Sequence, residues 1–284
     1  MVKEVRTEDG SLTLFSEKFR EPYHSVTAGA LTEAVEKFCK PCRIRERAKS
    51  GEVNLLDVCF GLGYNTVAFI NEALSENPKA RLKIVSFEFD ISVIEKSFKL
   101  DWKEFNRWKW VLREALKNRR CEKSVLVLST ENPQIQLKIY ITEGRKFLKA
   151  LSCRYENFAD AVFHDPFSPK VNPELWTYEF FKGIRRMTKE TGILATYSTS
   201  TAVRRALHMA GFGVREGVAV GRKSRSTVAS PTFKTEEKLL EKFKLPTSVP
   251  FRDPTLSDSS ELIRYRREGC IKLLSRSLPL EVLY

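Results

Sequence analysis

The spacing of hydrophobic and polar positions predicts strands that alternate with helices from residue 51 onward. Residues 53–74 are an apolar run, a glycine turn and then a helical pattern, and RLKIVSFEFD at 81–90 is a second buried-type strand. FADAVFHD and GILATYST predict two more strands, each followed by helical spacing. Because such alternation produces parallel sheets, the pattern predicts an α/β fold whose mostly parallel twisted sheet has helices on both faces.

Two flanking segments and one insertion depart from this alternation of strands and helices. In the N-terminal extension, residues 1–50, GSLTLFS alternates like a strand and VTAGALTEAVEKFCK has helical spacing. SVLVLST and IQLKIYIT predict an inserted strand pair, and the basic stretch 101–120 predicts one helix. The C-terminal extension, residues 234–284, is less periodic and rich in Pro, Ser and Asp, so we expect it to lie on the domain formed by 51–233.

Composition narrows the class of protein. A chain of 284 residues with 42% hydrophobic content can build a folded core. Its apolar runs are shorter than a membrane helix requires, and the N-terminus has no signal-peptide pattern, so we expect a cytoplasmic protein. Six scattered cysteines are expected to be thiols, and the single C-x-x-C pair, Cys39 and Cys42, predicts no metal site.

The net charge of +13 indicates an anionic partner. Nucleic acid is the commonest one, because neutralised phosphates release counterions and this release drives binding. A surface that is merely basic is the alternative.

The first strand-turn-helix predicts a ligand site. Gly61 and Gly63 allow a tight turn at the carboxyl end of the first parallel strand, where open α/β sheets bind ligands. The second strand ends in Glu88, which is placed to accept hydrogen bonds from ribose hydroxyls. A 2′-phosphate would be repelled there, and the turn matches neither the full dinucleotide fingerprint nor a phosphate loop.

A third strand end places Glu143 and Gly144 at the same rim. The Glu143 carboxylate is either an acceptor for an adenine amino group or the N-cap of the following helix. A glycine turn, a ribose acid and an adenine acid together suit an adenosine ligand without a pyrophosphate. S-adenosyl-L-methionine is such a ligand, and its sulfonium cation tolerates neighbouring acids.

The fourth strand end carries Asp165-Pro166-Phe167, beside the expected position of the ligand's methyl group. A carboxylate there can orient an amine and take its proton before methyl transfer, with nearby carbonyls as a further acceptor. Phe167 can stack on a planar base. The structural alternative is an Asp-Pro turn opener.

Several stretches together resemble the methyltransferase domain of MnmC, the tRNA wobble-uridine modification enzyme, and its stand-alone homologues. They cover most of residues 7–230: TEDGSLTLFSEKFREPYHSVTAGALTEAVEKF, FGLGYN, FEFD, TEGR, DAVFHDPFSPKVNPELWT, LATYSTSTAVRRAL followed by AGF, and GRKSRSTVA. The resemblance implies a Rossmann-like S-adenosyl-L-methionine methyltransferase. It would convert 5-aminomethyl-2-thiouridine at the tRNA wobble position into the methylaminomethyl form.

The resemblance also implies roles for individual residues. Gly61 and Gly63 match the cofactor turn, Glu88 matches the ribose acid, and Asp165 matches the catalytic acid at the cofactor site. Tyr23 and Ser25 fall in a stretch that packs toward the cofactor.

Three departures from the family pattern stand out. Glu143 stands where the family often has Asp, and Leu62 where it often has a small polar residue. Only about 54 residues follow residue 230, so we expect neither the FAD oxidoreductase domain of the bifunctional members nor bound FAD.

The expected partner is the tRNA anticodon stem-loop, with no membrane and no obligatory protein partner. Candidate phosphate contacts are Lys170, Arg204, Arg205, Arg222, Lys223 and Arg225. The aromatic and basic stretch from Asn106 to Arg120 is interpreted as a helix with a Trp-lined core face and a solvated basic face, rather than as a base-stacking platform.

Other functions stay open at this point. They are an aminopropyltransferase of the spermidine-synthase type, a DNA amino-methyltransferase suggested by Asp-Pro-Phe, and a basic RNA-binding protein without catalysis. The first is a poor match to a basic chain, because its substrate is a polycation, and the first turn lacks that family's Gly-Gly-Gly-Asp run.

Overall fold

A computed structural model describes residues 3–122, 124–221 and 224–277. The strands are β1 (Lys3–Arg6), β2 (Leu12–Ser16), β3 (Glu21–Pro22), β4 (Glu52–Val58), β5 (Arg81–Glu88), β6 (Arg119–Glu122), β7 (Val125–Ser129), β8 (Ile135–Ile141), β9 (Ala159–His164), β10 (Thr188–Thr196), β11 (Gly213–Glu216) and β12 (Thr227–Ser230). The α-helices are α1 (Ala30–Glu33), α2 (Ile44–Ala48), α3 (Tyr64–Glu76), α4 (Ile91–Ser97), α5 (Lys109–Lys117), α6 (Gly144–Leu151), α7 (Tyr178–Met187), α8 (Thr201–Met209), α9 (Glu237–Phe243) and α10 (Ser260–Ser277). A π-helical segment, Ala34–Cys39, continues α1, and short 3-10 helices lie at Lys103–Trp108, Pro173–Trp176 and Pro246–Ser248.

The main sheet has the order β11-β12-β10-β9-β4-β5-β8-β7-β6 within the described residues. Its five central strands, from β10 to β8, are parallel, and the pairs at both edges are antiparallel. Strand β4 pairs with β5 on one side and with β9 on the other, so the strand order reverses beside β4. This reversal opens a crevice at the carboxyl ends of β4 and β9.

Hydrophobic clusters cover both faces of the sheet, which confirms the predicted α/β class. Phe38, Phe69 and Trp102 belong to the cluster on one face, and Trp176 and Phe180 to the cluster on the other. The predicted strand pair is observed as β7 and β8. The last strand of the described chain, β12, lies between β10 and β11.

The predicted helical stretch over 101–120 is confirmed over 103–117 and is wrong at its end. A 3-10 helix and α5 occupy 103–117, and the helix ends at Asn118, whose φ of −93° and ψ of 76° are not helical. The chain then turns back as β6, where Arg119 pairs opposite Leu128. Trp108 and Trp110 pack against the core, in agreement with the core-face interpretation of this stretch.

Part of the C-terminal extension packs against the central domain through α9 and α10. Asp253, in the segment between α9 and α10, is fully buried and accepts a hydrogen bond from Arg145 at 2.8 Å. The boundaries at 50 and 233 stay predictions. None of the helices in the described part of the chain has both the length and the apolar composition to cross a membrane.

Candidate active site

A cavity of about 820 Å³ lies at the carboxyl ends of β4, β5, β8 and β9. The segment 18–27, which precedes α1, contributes one of its walls. Eight residues predicted from the sequence line this cavity: Tyr23, Ser25, Gly61, Glu88, Glu143, Gly144, Asp165 and Phe167. Four separate strand ends therefore converge on one site, as the parallel topology requires.

The two glycines of the first turn have different positions. Gly61 has a φ of +54°, lines the cavity and donates its backbone N–H to Oε2 of Glu88 at 2.9 Å. Gly63 is not among the lining residues. It precedes α3 with a φ of +78°, and a Cβ atom there would stand 3.0 Å from the Phe60 ring. Gly63 is therefore required for the turn and for packing.

Glu88 is a buried carboxyl group with three backbone donors. Its oxygens accept from the N–H groups of Gly61, Phe89 and Asp90. Burial raises the pKa of Glu88 to about 7, although these three hydrogen bonds act in the opposite direction. A carboxylate has about four acceptor positions, so one remains for a ligand hydroxyl.

Glu143 is the predicted N-cap of the following helix, and its role toward adenine stays a prediction. It caps α6 by accepting from the Lys146 N–H at 3.2 Å, and it also lines the cavity. Arg145 donates to Glu143 at 3.1 Å and is itself held by Asp253. The connection to the C-terminal extension therefore supports this end of the cavity.

Asp165 follows β9 and is held by the first turn of α3. Its Oδ2 accepts from Nδ2 of Asn65 at 2.8 Å, and 8% of its side chain is exposed. Burial, followed by the charge of Glu33, raises its pKa well above the ordinary range, and the Asn65 hydrogen bond lowers it. A carboxyl group with a raised pKa is a stronger proton acceptor than an exposed one.

The turn behind Asp165 is tied to the N-terminal segment. Ser168 donates from its N–H and its hydroxyl to the Glu21 carboxylate at 3.0 and 2.6 Å. The Phe167 ring stacks on Phe19 with centroids 4.3 Å apart. Because one face of this ring is covered, at most the other face is left for a planar base.

The carbonyl groups of this turn are already hydrogen bonded. Tyr197 donates to the Pro166 carbonyl at 2.8 Å, and the Trp176 indole donates to the Phe167 carbonyl at 2.8 Å. They are therefore poor candidates for the additional acceptor that the sequence suggested.

The predicted phosphate contacts separate into groups. Lys170 and Arg225 are exposed and lie outside the cavity lining. Arg205 donates to Ser248 at 2.9 Å. Arg204 was predicted wrongly, because it is buried and donates to Glu216 and Thr227. Arg222 and Lys223 lie outside the described residues.

Sequence reasoning missed four residues of the site: His24, Glu33, Asn65 and Phe89. His24, Glu33 and Phe89 line the cavity. Glu33 is buried, forms an ion pair with buried Lys37 at 2.7 Å and accepts from the Ser25 N–H. Phe89 directly follows Glu88, the predicted ribose acid, and this position in the sequence could have indicated that it lies at the site. Nothing in the local sequence distinguished His24, Glu33 and Asn65.

A Rossmann-like sheet with an acid-rich cavity at the switch point defines a nucleoside-binding enzyme. Residues 104–232 match a family model described as S-adenosyl-L-methionine-dependent methyltransferase. An uncharacterized protein from Methanocaldococcus jannaschii is 33% identical over 93% of this chain and 71% of its own length. The crystal structure of MNMC2 from Aquifex aeolicus is similar, with 35% identity, a TM-score of 0.81, and coverage of 96% of this chain and 85% of that one.

A longer relative is the tRNA 5-methylaminomethyl-2-thiouridine biosynthesis bifunctional protein MnmC from Marinomonas sp., with 28% identity over 78% of this chain. The chain spans about a third of that protein, 32% of its length. The fold, the family model and these relatives together make the chain an S-adenosyl-L-methionine-dependent methyltransferase. It belongs to the MnmC methyltransferase family.

The cavity fits S-adenosyl-L-methionine. Among the residues that the structure describes, six carboxyl side chains line it, against two basic ones, Lys18 and Arg145. This balance favours a ligand that carries sulfonium and ammonium cations and disfavours a diphosphate. The volume lies within the roughly 300–1,000 Å³ of small-molecule sites.

Proposed function

We propose that this enzyme methylates the 5-aminomethyl group of uridine or 2-thiouridine at the tRNA wobble position, giving the 5-methylaminomethyl form. The observation that carries the proposal is the buried Asp165 carboxyl group at the end of β9. It combines a raised pKa with a fixed position in the acid-lined cavity. An aminomethyl group is protonated at neutral pH and needs such an acceptor before it can attack.

The cofactor roles follow from position. Glu88 accepts a hydrogen bond from a ribose hydroxyl at its remaining acceptor position, and Glu143 accepts from the adenine amino group. Gly61 and Gly144 provide backbone close to the ligand, while Tyr23 and Ser25 form the wall contributed by the N-terminal segment.

S-adenosyl-L-methionine supplies a methyl group that is electrophilic because it is bonded to a sulfonium. Asp165 accepts one proton from the substrate ammonium. Rotation about the C–N bond of the neutral amine then turns the lone pair toward the methyl group and places a remaining N–H against Asp165. The nitrogen lone pair forms the new N–C bond as the C–S bond breaks, and the electron pair of that bond stays on sulfur. In-line positioning and proton removal each lower the barrier.

The tRNA backbone is expected to contact basic side chains around the cavity mouth. Lys170 and Arg225 are exposed, and Arg222 and Lys223 follow Gly221, a lining residue of the cavity, in the sequence. Phe167, which stacks on Phe19 and contacts Tyr23 edge-on, is the candidate for the contact with the wobble base. The net charge of +13 supports an anionic macromolecule as substrate.

Transfer of labelled methyl to tRNA from cells that accumulate aminomethyl wobble uridine tests the function. We expect label in the wobble nucleoside with the wild type and a loss of about 10²–10⁴-fold with Asp165→Asn, while cofactor affinity persists. Asp160→Asn is the matched control, because Asp160 lies near the opposite end of β9 and pairs with Lys189.

DNA and spermidine precursors complete the substrate panel. Label in DNA or in a polyamine but not in tRNA would contradict the proposal and favour one of the other transferases. Equal activity of Asp165→Asn and the wild type on tRNA would remove Asp165 from the mechanism.

A further inference from the structure

His24 lies beside Asp165, and its two ring nitrogens have no hydrogen-bond partner among the residues that the structure describes. The residue is 7% exposed and lines the cavity. The ring packs edge-on against Tyr64, with centroids 5.0 Å apart. Buried polar groups are normally hydrogen bonded, so two buried nitrogens without a partner, in a residue that lines a ligand cavity, point to a hydrogen bond with a ligand group.

The charge state of the imidazole decides whether the ligand group donates or accepts the hydrogen bond. Burial lowers the pKa of His24 to about 4, whereas the charges of Glu33 and Asp9 act in the opposite direction. Lys37 neutralises Glu33 from the π-helical segment, and Tyr64 and Asp165 face the ring from α3 and β9. The neutral imidazole therefore has one nitrogen that accepts a hydrogen bond.

The distance between the His24 ring and the Asp165 carboxyl group indicates what kind of group fits between them. Nδ1 of His24 is 3.9 Å from Oδ2 of Asp165, too far for a direct hydrogen bond. Two acceptors that bind neighbouring N–H bonds of one tetrahedral nitrogen at about 2.8 Å are roughly 4.6 Å apart. The gap of 3.9 Å is shorter by roughly 0.7 Å, which two hydrogen bonds bent by about 10° each accommodate, so one amine nitrogen can contact both acceptors.

We propose that His24 is the second acceptor for the nucleophilic amine of the substrate. Nδ1 of His24 accepts one N–H and Oδ2 of Asp165 accepts the other. The nitrogen lone pair then points away from both acceptors, toward the methyl group. This inference rests on the proposed function, because it assumes a primary amine as nucleophile.

The arrangement restricts the reaction to one methyl group. After the first transfer and loss of a proton, the nitrogen carries a single N–H and a methyl. A second attack with the same lone-pair direction would place that methyl against the position of one acceptor. His24 is thus a specificity-determining residue as well as a positioning residue.

Substitutions that separate shape from hydrogen bonding test the proposal. His24→Phe keeps an aromatic ring against Tyr64 but removes the acceptor, so we expect kcat to fall about tenfold or more. His24→Asn restores an acceptor oxygen, and we expect it to retain more activity than His24→Phe. His208→Phe is the matched control, since His208 contacts Thr235 outside the cavity.

Product analysis and cofactor binding give two independent readouts. His24→Ala removes both the acceptor and the bulk, so we expect dimethylated nucleoside beside the monomethyl product. Wild-type kcat and exclusively monomethyl product from His24→Phe and His24→Ala would overturn the proposal. A selective loss of S-adenosylhomocysteine affinity in His24→Phe would overturn it too, because the ring would then serve the cofactor.

A binding experiment separates this inference from the proposed function. The sequence has three histidines, so ¹⁵N-histidine labelling gives few ring signals, and His24→Phe assigns those of His24. We expect 5-aminomethyluridine, added with S-adenosylhomocysteine, to shift the accepting nitrogen of His24, whereas uridine does not. No shift would overturn the proposal, even if tRNA methylation is observed. A shift without tRNA methylation would support the amine site and contradict only the tRNA substrate.

Discussion

Asn65 donates a hydrogen bond from Nδ2 to Oδ2 of Asp165 at 2.8 Å, across 100 positions of sequence. This contact joins the first turn of α3 to the end of β9. The helix that follows the cofactor turn therefore also positions the proposed proton acceptor.

Replacing Asn65 by Leu removes this donor at similar volume. Because the hydrogen bond lowers the pKa of Asp165, its loss raises that pKa, and the acid limb of the pH profile of kcat/KM moves to higher pH. We expect the maximal rate to fall by up to about a hundredfold, since the carboxyl group is no longer fixed. Asn71→Leu, further along α3, is the control, and an unchanged acid limb in Asn65→Leu would contradict the proposed coupling.

The pKa of Glu88 predicts a pH-dependent stability of the ligand-free enzyme. A carboxyl group whose pKa is about 7 in the folded state and 4.5 in the unfolded state binds more protons when folded. Its contribution to stability is therefore greatest below pH 4.5 and is lost as the pH rises to about 7. The full change is about 3 kcal/mol.

Urea unfolding between pH 5 and 8 measures this effect. Glu88→Gln should have a shallower fall in the free energy of unfolding than the wild type over this range. Asp57, whose pKa burial also raises to about 7, keeps part of the slope in both proteins. Parallel curves for the two proteins would show that Glu88 does not titrate in this window.

The ion pair between Arg145 and Asp253 predicts that the C-terminal extension supports the cofactor site. Asp253 is fully buried, and its replacement by Ala removes the shorter of the two ion pairs that hold the largely buried Arg145 guanidinium within the described residues, leaving the pair with Glu143. We expect about 3 kcal/mol of destabilisation and weaker cofactor binding, measured by urea unfolding and calorimetric titration. Glu261→Ala, which removes an exposed pair with Arg264, should change neither quantity appreciably. Unchanged cofactor affinity in Asp253→Ala would separate the extension from the site.

The hydrogen bonds of Glu21 predict that the N-terminal segment slows the release of the cofactor. The Glu21 carboxylate accepts two hydrogen bonds from Ser168 and so holds in place the segment whose residues Phe19 and Tyr23 line the cavity. Glu21→Ala should accelerate cofactor dissociation by about tenfold, corresponding to roughly 1.4 kcal/mol, as measured by stopped-flow fluorescence. The exposed neighbour Glu17→Ala should dissociate at the wild-type rate. Equal rates for the two variants would mean that the segment does not retain the ligand.

The sequence by itself determined the alternating elements and the carboxyl ends of four strands. Hydrophobic periodicity records which positions each element buries, and parallel strands bring their carboxyl ends to one edge. Gly61, Glu88, Glu143 and Asp165 could therefore be placed at one site before the structure was known. The end of α5 was missed, because hairpin pairing at Asn118 overrides helical periodicity.

Only the tertiary structure decided which further groups meet at the cavity. His24, Glu33 and Asn65 reach Asp165 from other elements, and their local sequence resembles an ordinary loop or helix face. The burial of Arg204 beside Glu216 likewise depends on α8 packing against β11. Such contacts are set by strand order and helix packing. These act between positions far apart in the chain and leave no periodic signal in the sequence.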